Sequence, residues 1–505
     1  MNRRKRFFIN GILLTIVGLA MRSVSISFNA YITRAVGAEG IGLFTLIMNV
    51  YGFAITFATS GISLTVTRLV AEAIGEDRAS SCRKIMRNAV LYSLLFSTTA
   101  MLVMFFFSDY FSLHFVGDER GEVAFRILAF SLVPLSLSSV VGGYFVGVKR
   151  VLRNAVAQVL TQGVKILVTV FLVFRLSGNG VVQTAIALTL SITLTELFSL
   201  FVFVLEYKID QKHTKVDENA CKISFFAITS MALPLALSAY IRSALLTLEH
   251  TLIPKGLVKG GKTVAEALAS YGVLHGMVVP MLLYPMSTLS SFAGLLVPEF
   301  AESEARGERD RMKRLAGEAV SATLAYSVVT MVFIYIFAEE IGYILYDSYY
   351  AGHYVGLLAC VIPIMYLDHV ADSILKGIGE HVYSMWINIA DAFISVVLVW
   401  TIIPIMGIAG YAVVIVVMEA FNFIFSIARL YKRIPFSIDF VTSLFVPFIV
   451  SLLTAFISKR LFHFSGSEAN ALWLILKLVF AICIFLSVYL PIKNARQRRM
   501  KACRA

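Results

Sequence analysis

The apolar positions of this chain run in blocks of 22 to 29 residues, with neither a long polar stretch nor a low-complexity segment between them. A helix needs about 20 mostly apolar residues to cross a bilayer. That length marks fourteen candidate spans, at 8–33, 41–67, 86–108, 122–147, 155–176, 181–206, 224–248, 270–298, 315–339, 354–376, 384–405, 408–430, 440–462 and 469–492. The expected fold is all-α, a polytopic membrane protein. Pro134, Pro234, Pro280, Pro285 and Pro363 lie inside spans, where membrane helices tolerate proline better than soluble ones. The run after Arg3, Arg4, Lys5 and Arg6 continues past Tyr31, so it reads as a retained first helix rather than a cleaved signal.

Composition agrees: 58% of the residues are hydrophobic and 15% charged, against about 25% charged in a soluble domain. The net charge of +13 does not point to nucleic acid, because the charges sit in short loops between apolar blocks. With the N-terminus inside, 31 Lys and Arg fall in inner segments and 8 in outer ones. Under the positive-inside rule that skew places both termini in the cytoplasm. Cys82, Cys221, Cys360, Cys483 and Cys503 form no metal-ligand spacing, and none falls in an outer loop, so no disulfide is expected.

Shifting the chain by 230 residues superposes Gly42 on Gly272, Ser60 on Ser290, Ala71-Glu72 on Ala301-Glu302, Gly147 on Gly377 and Gly180 on Gly410. Six helices separate the partners, so both copies keep one orientation, a parallel repeat of the kind found in some secondary transporters. The expected organisation is a six-helix lobe at 1–206, a second at 224–430, and two further helices at 440–492. Two such lobes suit a central cavity open to each side in turn.

The stretches Thr33-Arg34-Ala35-Val36-Gly37-Ala38-Glu39-Gly40-Ile41-Gly42-Leu43-Phe44 and Gly61-Ile62-Ser63-Leu64-Thr65-Val66-Thr67-Arg68-Leu69-Val70-Ala71-Glu72 carry a family likeness. They resemble the multidrug/oligosaccharidyl-lipid/polysaccharide (MOP) flippase superfamily, in its polysaccharide-transporter branch, with lipid II flippases more distant. The resemblance implies a V-shaped pair of lobes that moves a polyprenyl-pyrophosphate-linked sugar across the cytoplasmic membrane by alternating access. Lipid II flippases carry an Arg midway along helix one, which Arg22 matches, with Arg34 and Gly37 following at the same distances. A second basic position is Phe28 here, and the helix-eight Arg falls in a stretch reading Tyr271…His275…Pro280.

Charged groups in membrane helices usually face the interior or a wet cavity. Arg22 lies about fourteen residues into its helix, too deep to reach the interface easily, and Arg242 has a similar place in helix seven. Guanidinium grips phosphate through two parallel hydrogen bonds. Arg22 and Arg242, with His275 and the interfacial Arg34, are therefore the candidate substrate-binding residues. For Arg34, positioning or snorkelling is an equal alternative. Lys165 and Glu196 sit at equal depth on neighbouring helices and read first as a structural ion pair, with ion coupling the alternative. Asp391 and Glu419 are deeper acids open to ion coupling, with a proton or sodium as the ion. Asp368 and Asp372, one turn apart beside His369, read as a solvated helix end rather than a metal site.

No H-E-x-x-H, P-loop or G-x-S-x-G occurs, and the longest gaps between spans are about 20 residues. A membrane polymerase or glycosyltransferase is thereby disfavoured; no enzyme activity, cofactor or metal is expected. A multidrug cation extruder is the nearer rival, though helices one and two hold no Asp or Glu within their spans. A self-contained cavity makes a monomer the expected state.

Overall fold

The computed structural model describes residues 3–59, 61–75, 81–148, 150–176, 180–211, 225–461 and 471–502, and among them it contains helices and no strands. In chain order these are α1 (Arg3–Thr59), α2 (Ile62–Gly75), α3 (Ser81–Phe106), the short α4 (Ser108–Phe111), α5 (Glu122–Ala129), α6 (Leu132–Gly147), α7 (Val151–Leu176), α8 (Val181–Gln211) and α9 (Phe225–Lys259). They continue with α10 (Val264–Tyr271), α11 (Val279–Ala305), α12 (Arg309–Ile336), α13 (Ala338–Tyr346), α14 (Tyr349–Ala359), α15 (Ile362–Gly377), α16 (His381–Arg433), α17 (Val446–Leu461) and α18 (Ala471–Ala502). A π-helical turn at Gly272–Val278 joins α10 to α11.

Nine of these helical stretches are long and apolar enough to cross a membrane among the described residues, or eleven if two bent pairs each count as one. The fourteen expected spans are not reached by that test. Part of the difference is geometric. At about 1.5 Å per residue, the 57 residues of α1 and the 53 of α16 run to ~80 Å each, far more than the ~30 Å of a hydrocarbon core. Each is interrupted where the sequence expected a loop. Gly37 takes φ 79°, ψ 170° in α1, and Gly407 takes φ 62°, ψ −144° in α16. Side chains bearing a Cβ rarely adopt either conformation.

Contacts divide the chain into two compact units, Met1–Phe28 with Ala35–Gly272, and Asn29–Arg34 with Val273–Ala505. In the first, Ile62, Val66 and Val70 line one face of α2 and pack with Ile85, Met86 and Tyr92 of α3 and Val140 and Phe145 of α6. Lipid tails are as apolar as these side chains, so close approach rather than burial holds such helices together. A Cβ on Gly143 would lie 2.6 Å from the Ser63 carbonyl, which explains the glycine. Hydrogen bonds add to this, among them Ser93 Oγ to Ser136 Oγ at 2.7 Å and Tyr51 Oη to Ser131 Oγ at 2.6 Å.

The offset of 230 recurs in the geometry of each unit. A break of 44° separates Glu119–Ala129 from Leu132–Gly147, and one of 58° separates Tyr349–Ala359 from Ile362–Gly377. All four bounds shift by the same number. Left-handed residues stand ahead of both pairs, Gly117 (φ 74°) and Asp347 (φ 52°). Each is followed by a helix-starting side chain: Asp118 accepts from the Arg120 N–H, and Ser348 from the Ala351 N–H. A Cβ on Gly147 would lie 2.9 Å from the Thr67 carbonyl, and one on Gly377 2.9 Å from the Val297 carbonyl. Those contacts are also 230 apart.

Candidate functional site

Arg22 lies on α1, and its side chain is outside the described residues. Arg242 stands exposed on α9, with no ion pair among the described residues. Its neighbours on that helix face α1: Tyr240 packs its ring 5.4 Å from that of Phe57, and Ser243 accepts from Thr56 at 3.3 Å. Packing thus fixes the helix on both sides of Arg242 while leaving its side chain exposed.

The other two basic candidates are engaged. Arg34 Nη2 donates to the carbonyls of Tyr343, at 3.2 Å, and of Ile344, in the last turn of α13. Unpaired carbonyls gather negative potential at a helix C-terminus, and a cation there is stabilising. Positioning is therefore the use the geometry gives Arg34. His275 is half-buried in the π-helical turn, with Nε2 2.7 Å from the hydroxyl of Tyr411 on α16 and the rings 5.3 Å apart.

Lys165 on α7 and Glu196 on α8 are both half-buried and interact electrostatically, but they form no direct ion pair. The close structural pair expected from their equal depth is replaced by a longer-range interaction, because equal depth on adjacent helices does not fix which way each side chain turns. Asp391 and Glu419 lie on the two arms of α16. Glu419 feels the charge of both Asp391 and Asp368.

Asp368 corrects the sequence reading. Asp372, one turn on, forms a half-exposed pair with Lys376 at 2.5 Å, as a solvated helix end should. Asp368 is half-buried, its Oδ1 has no hydrogen-bond partner among the described residues, and Ser426 of α16 sits against it. So Asp368 on α15 and Asp391 on one arm of α16 both lie within electrostatic reach of Glu419 on the other arm. As they stand, the described residues form no group of three at metal-ligand spacing. The missed signal was modest: the i, i+4 pair was visible, but not that its two members turn to different surroundings.

The model of the polysaccharide biosynthesis protein family matches residues 8–303. The chain belongs to this family. Within the MOP flippase superfamily, the MatE model also matches residues 261–401. Stage V sporulation protein B of Bacillus subtilis (strain 168) is 25% identical over 503 residues, covering 95% of this chain and 96% of that protein. The lipid II flippase MurJ of the same organism is 21% identical over 401 residues, covering 74% and 73%. A solved structure of lipid II flippase MurJ in an inward closed conformation superposes with a TM-score of 0.70 at 13% identity, covering 97% of this chain and 99% of that one. The protein is a multi-pass membrane transporter of the flippase type.

Proposed function

We infer that this transporter moves a polyprenyl-pyrophosphate-linked saccharide or peptidoglycan precursor across the cytoplasmic membrane by alternating access, as a monomer with both termini inside. The observation that carries this reading is Arg242, an exposed guanidinium without an ion pair among the described residues, on a helix whose flanking positions are packed. An unpaired cation in a membrane helix calls for an anion or for water, and a pyrophosphate fits a guanidinium fork. Arg22 supplies the second cation, His275 is a candidate hydrogen-bonding group, and Arg34 holds helix one in place. The two six-helix lobes at 1–206 and 224–430 would be the moving parts. Coupling to a proton or sodium ion is assigned to Asp391 and Glu419 together with Asp368, and Lys165 with Glu196 is a second, weaker candidate.

The test is binding of a fluorescent polyprenyl-pyrophosphate saccharide to the purified chain in nanodiscs. A charge-assisted hydrogen bond contributes about 1.5–3 kcal/mol, so Arg242→Ala should weaken binding roughly ten- to a hundredfold, and Arg22→Ala similarly. Wild-type affinity in the double variant would remove these residues from recognition. The MatE match over 261–401 and the three carboxyl groups favour a second reading, extrusion of an organic cation. Tight binding of such a cation, with none of the lipid, would replace the first reading by the second.

A further inference from the structure

Gly42 and Gly272, partners under the 230-residue offset, touch one another within the first compact unit. A Cβ on Gly42 would fall on the carbonyl of Leu268. One on Gly272 would fall on the carbonyl of Ala38 and lie 2.7 Å from the Gly42 nitrogen. Ala38 and Leu268 are themselves 230 apart. Each side of the crossing is thus a copy of the other, as in the isologous contact of a two-fold dimer. Here α1 of the first repeat meets α10 of the second with backbone against backbone.

Two turns further along α1, Asn49 Nδ2 donates to Tyr271 Oη at 2.7 Å, and that hydroxyl lies 3.1 Å from His250 Nδ1 of α9. Thr247 adds a hydrogen bond to the Asn49 carbonyl at 3.2 Å. Directly after Tyr271 the chain enters the π-helical turn Gly272–Val278. Such turns are rare and concentrate at functional sites. Interlocked side chains would have to be dragged past one another for these helices to part. A glycine crossing carries no such obstacle, and its polar clasp joins two neutral side chains, Asn49 of α1 and Tyr271 of α10.

We propose that the Gly42–Gly272 crossing is a gate of the transport path, closed by backbone contact, clasped by Asn49 and Tyr271, and hinged at the π-helical turn. On the orientation with termini inside, it closes the outer face. The proposal rests on the transport reading, but the gate can be tested without a substrate.

Spin labels at Phe107 and Val264, both exposed, would report the separation of the first repeat from α10 by double electron–electron resonance in nanodiscs, with the five native cysteines replaced. Wild type should give a short-distance population and a minor longer one. Gly42→Ala or Gly272→Ala should shift that ratio at least tenfold toward the longer distance, and Asn49→Ala should shift it the same way by less. Gly52→Ala is the control, because a Cβ there meets nothing within 4 Å; it should leave the distribution unchanged. A folded Gly272→Ala protein with the wild-type distribution overturns the gate. If neither glycine variant folds, an unshifted Asn49→Ala does so. A shifted distribution in a chain that moves no lipid-linked saccharide would sink the transport substrate and leave the gate standing.

Discussion

Single charged residues in this protein divide by whether a partner is already in place. Arg242 has no ion pair among the described residues, Arg34 is spent on the end of α13, and Glu380 is held by two arginines, Arg429 at 2.8 Å and Arg433. The hydrogen bond from Arg429 keeps the Glu380 carboxyl below the usual glutamate range, with Arg433 adding to it. A depressed pKa means that the stabilisation is present above the unfolded-state value and is lost as pH falls through the folded one. At neutral pH, Glu380→Gln should therefore lower the thermal stability of the detergent-solubilised protein by about 1 kcal/mol or less, since the group is partly exposed. The difference from wild type should vanish below the ordinary carboxylate range. A gap that stays constant from neutral to acid pH would show that the pair adds no stability through charge. The sequence offered Arg34 and His275 as candidates for substrate, with positioning an equal alternative for Arg34. It could not show that a helix C-terminus and a tyrosine 136 residues away already occupy them.

Among the elements, the repeat is the feature the sequence made most legible, and the backbone explains why. Two of its three matched glycine pairs stand where helices approach closely: Gly147 on the Thr67 carbonyl, Gly377 on that of Val297, and Gly42 against Gly272 itself. At such contacts no other residue fits, so glycines survive where the rest of the repeat has diverged. Gly147→Ala and Gly377→Ala should each cost about 1–3 kcal/mol from overpacking, read as a lower melting temperature of the purified protein. Gly163→Ala, with nothing within 4 Å, should be neutral or mildly stabilising. Equal melting temperatures for all three would break the link between repeat and packing. Divergence is plain at the ion pairs. Position 150 is an arginine that grips Asp210 together with Arg153, whereas its repeat partner, position 380, is a glutamate held by arginines. The two halves keep a clamp at the same place with its charges reversed, which hides it from a search for identical residues.

At the scale of the whole molecule, hydropathy was enough to fix the helical membrane fold, because only helices or closed barrels satisfy backbone groups in lipid. It gave the positions of Asp368, Asp391 and Glu419 along the chain but not the electrostatic reach of both aspartates to Glu419, which depends on how α15 and the two arms of α16 rotate about their axes. On the function proposed above, the protein carries a lipid-linked saccharide across the bilayer and couples that movement to an ion. The most direct measurement is transbilayer movement of a fluorescent polyprenyl-pyrophosphate saccharide in proteoliposomes, with and without an imposed proton or sodium gradient, for wild type and Asp368→Asn. The expected result is gradient-stimulated movement by wild type and, in the folded variant, movement that no longer responds to the gradient. No movement by wild type under any gradient, alongside gradient-driven uptake of an organic cation, would contradict it.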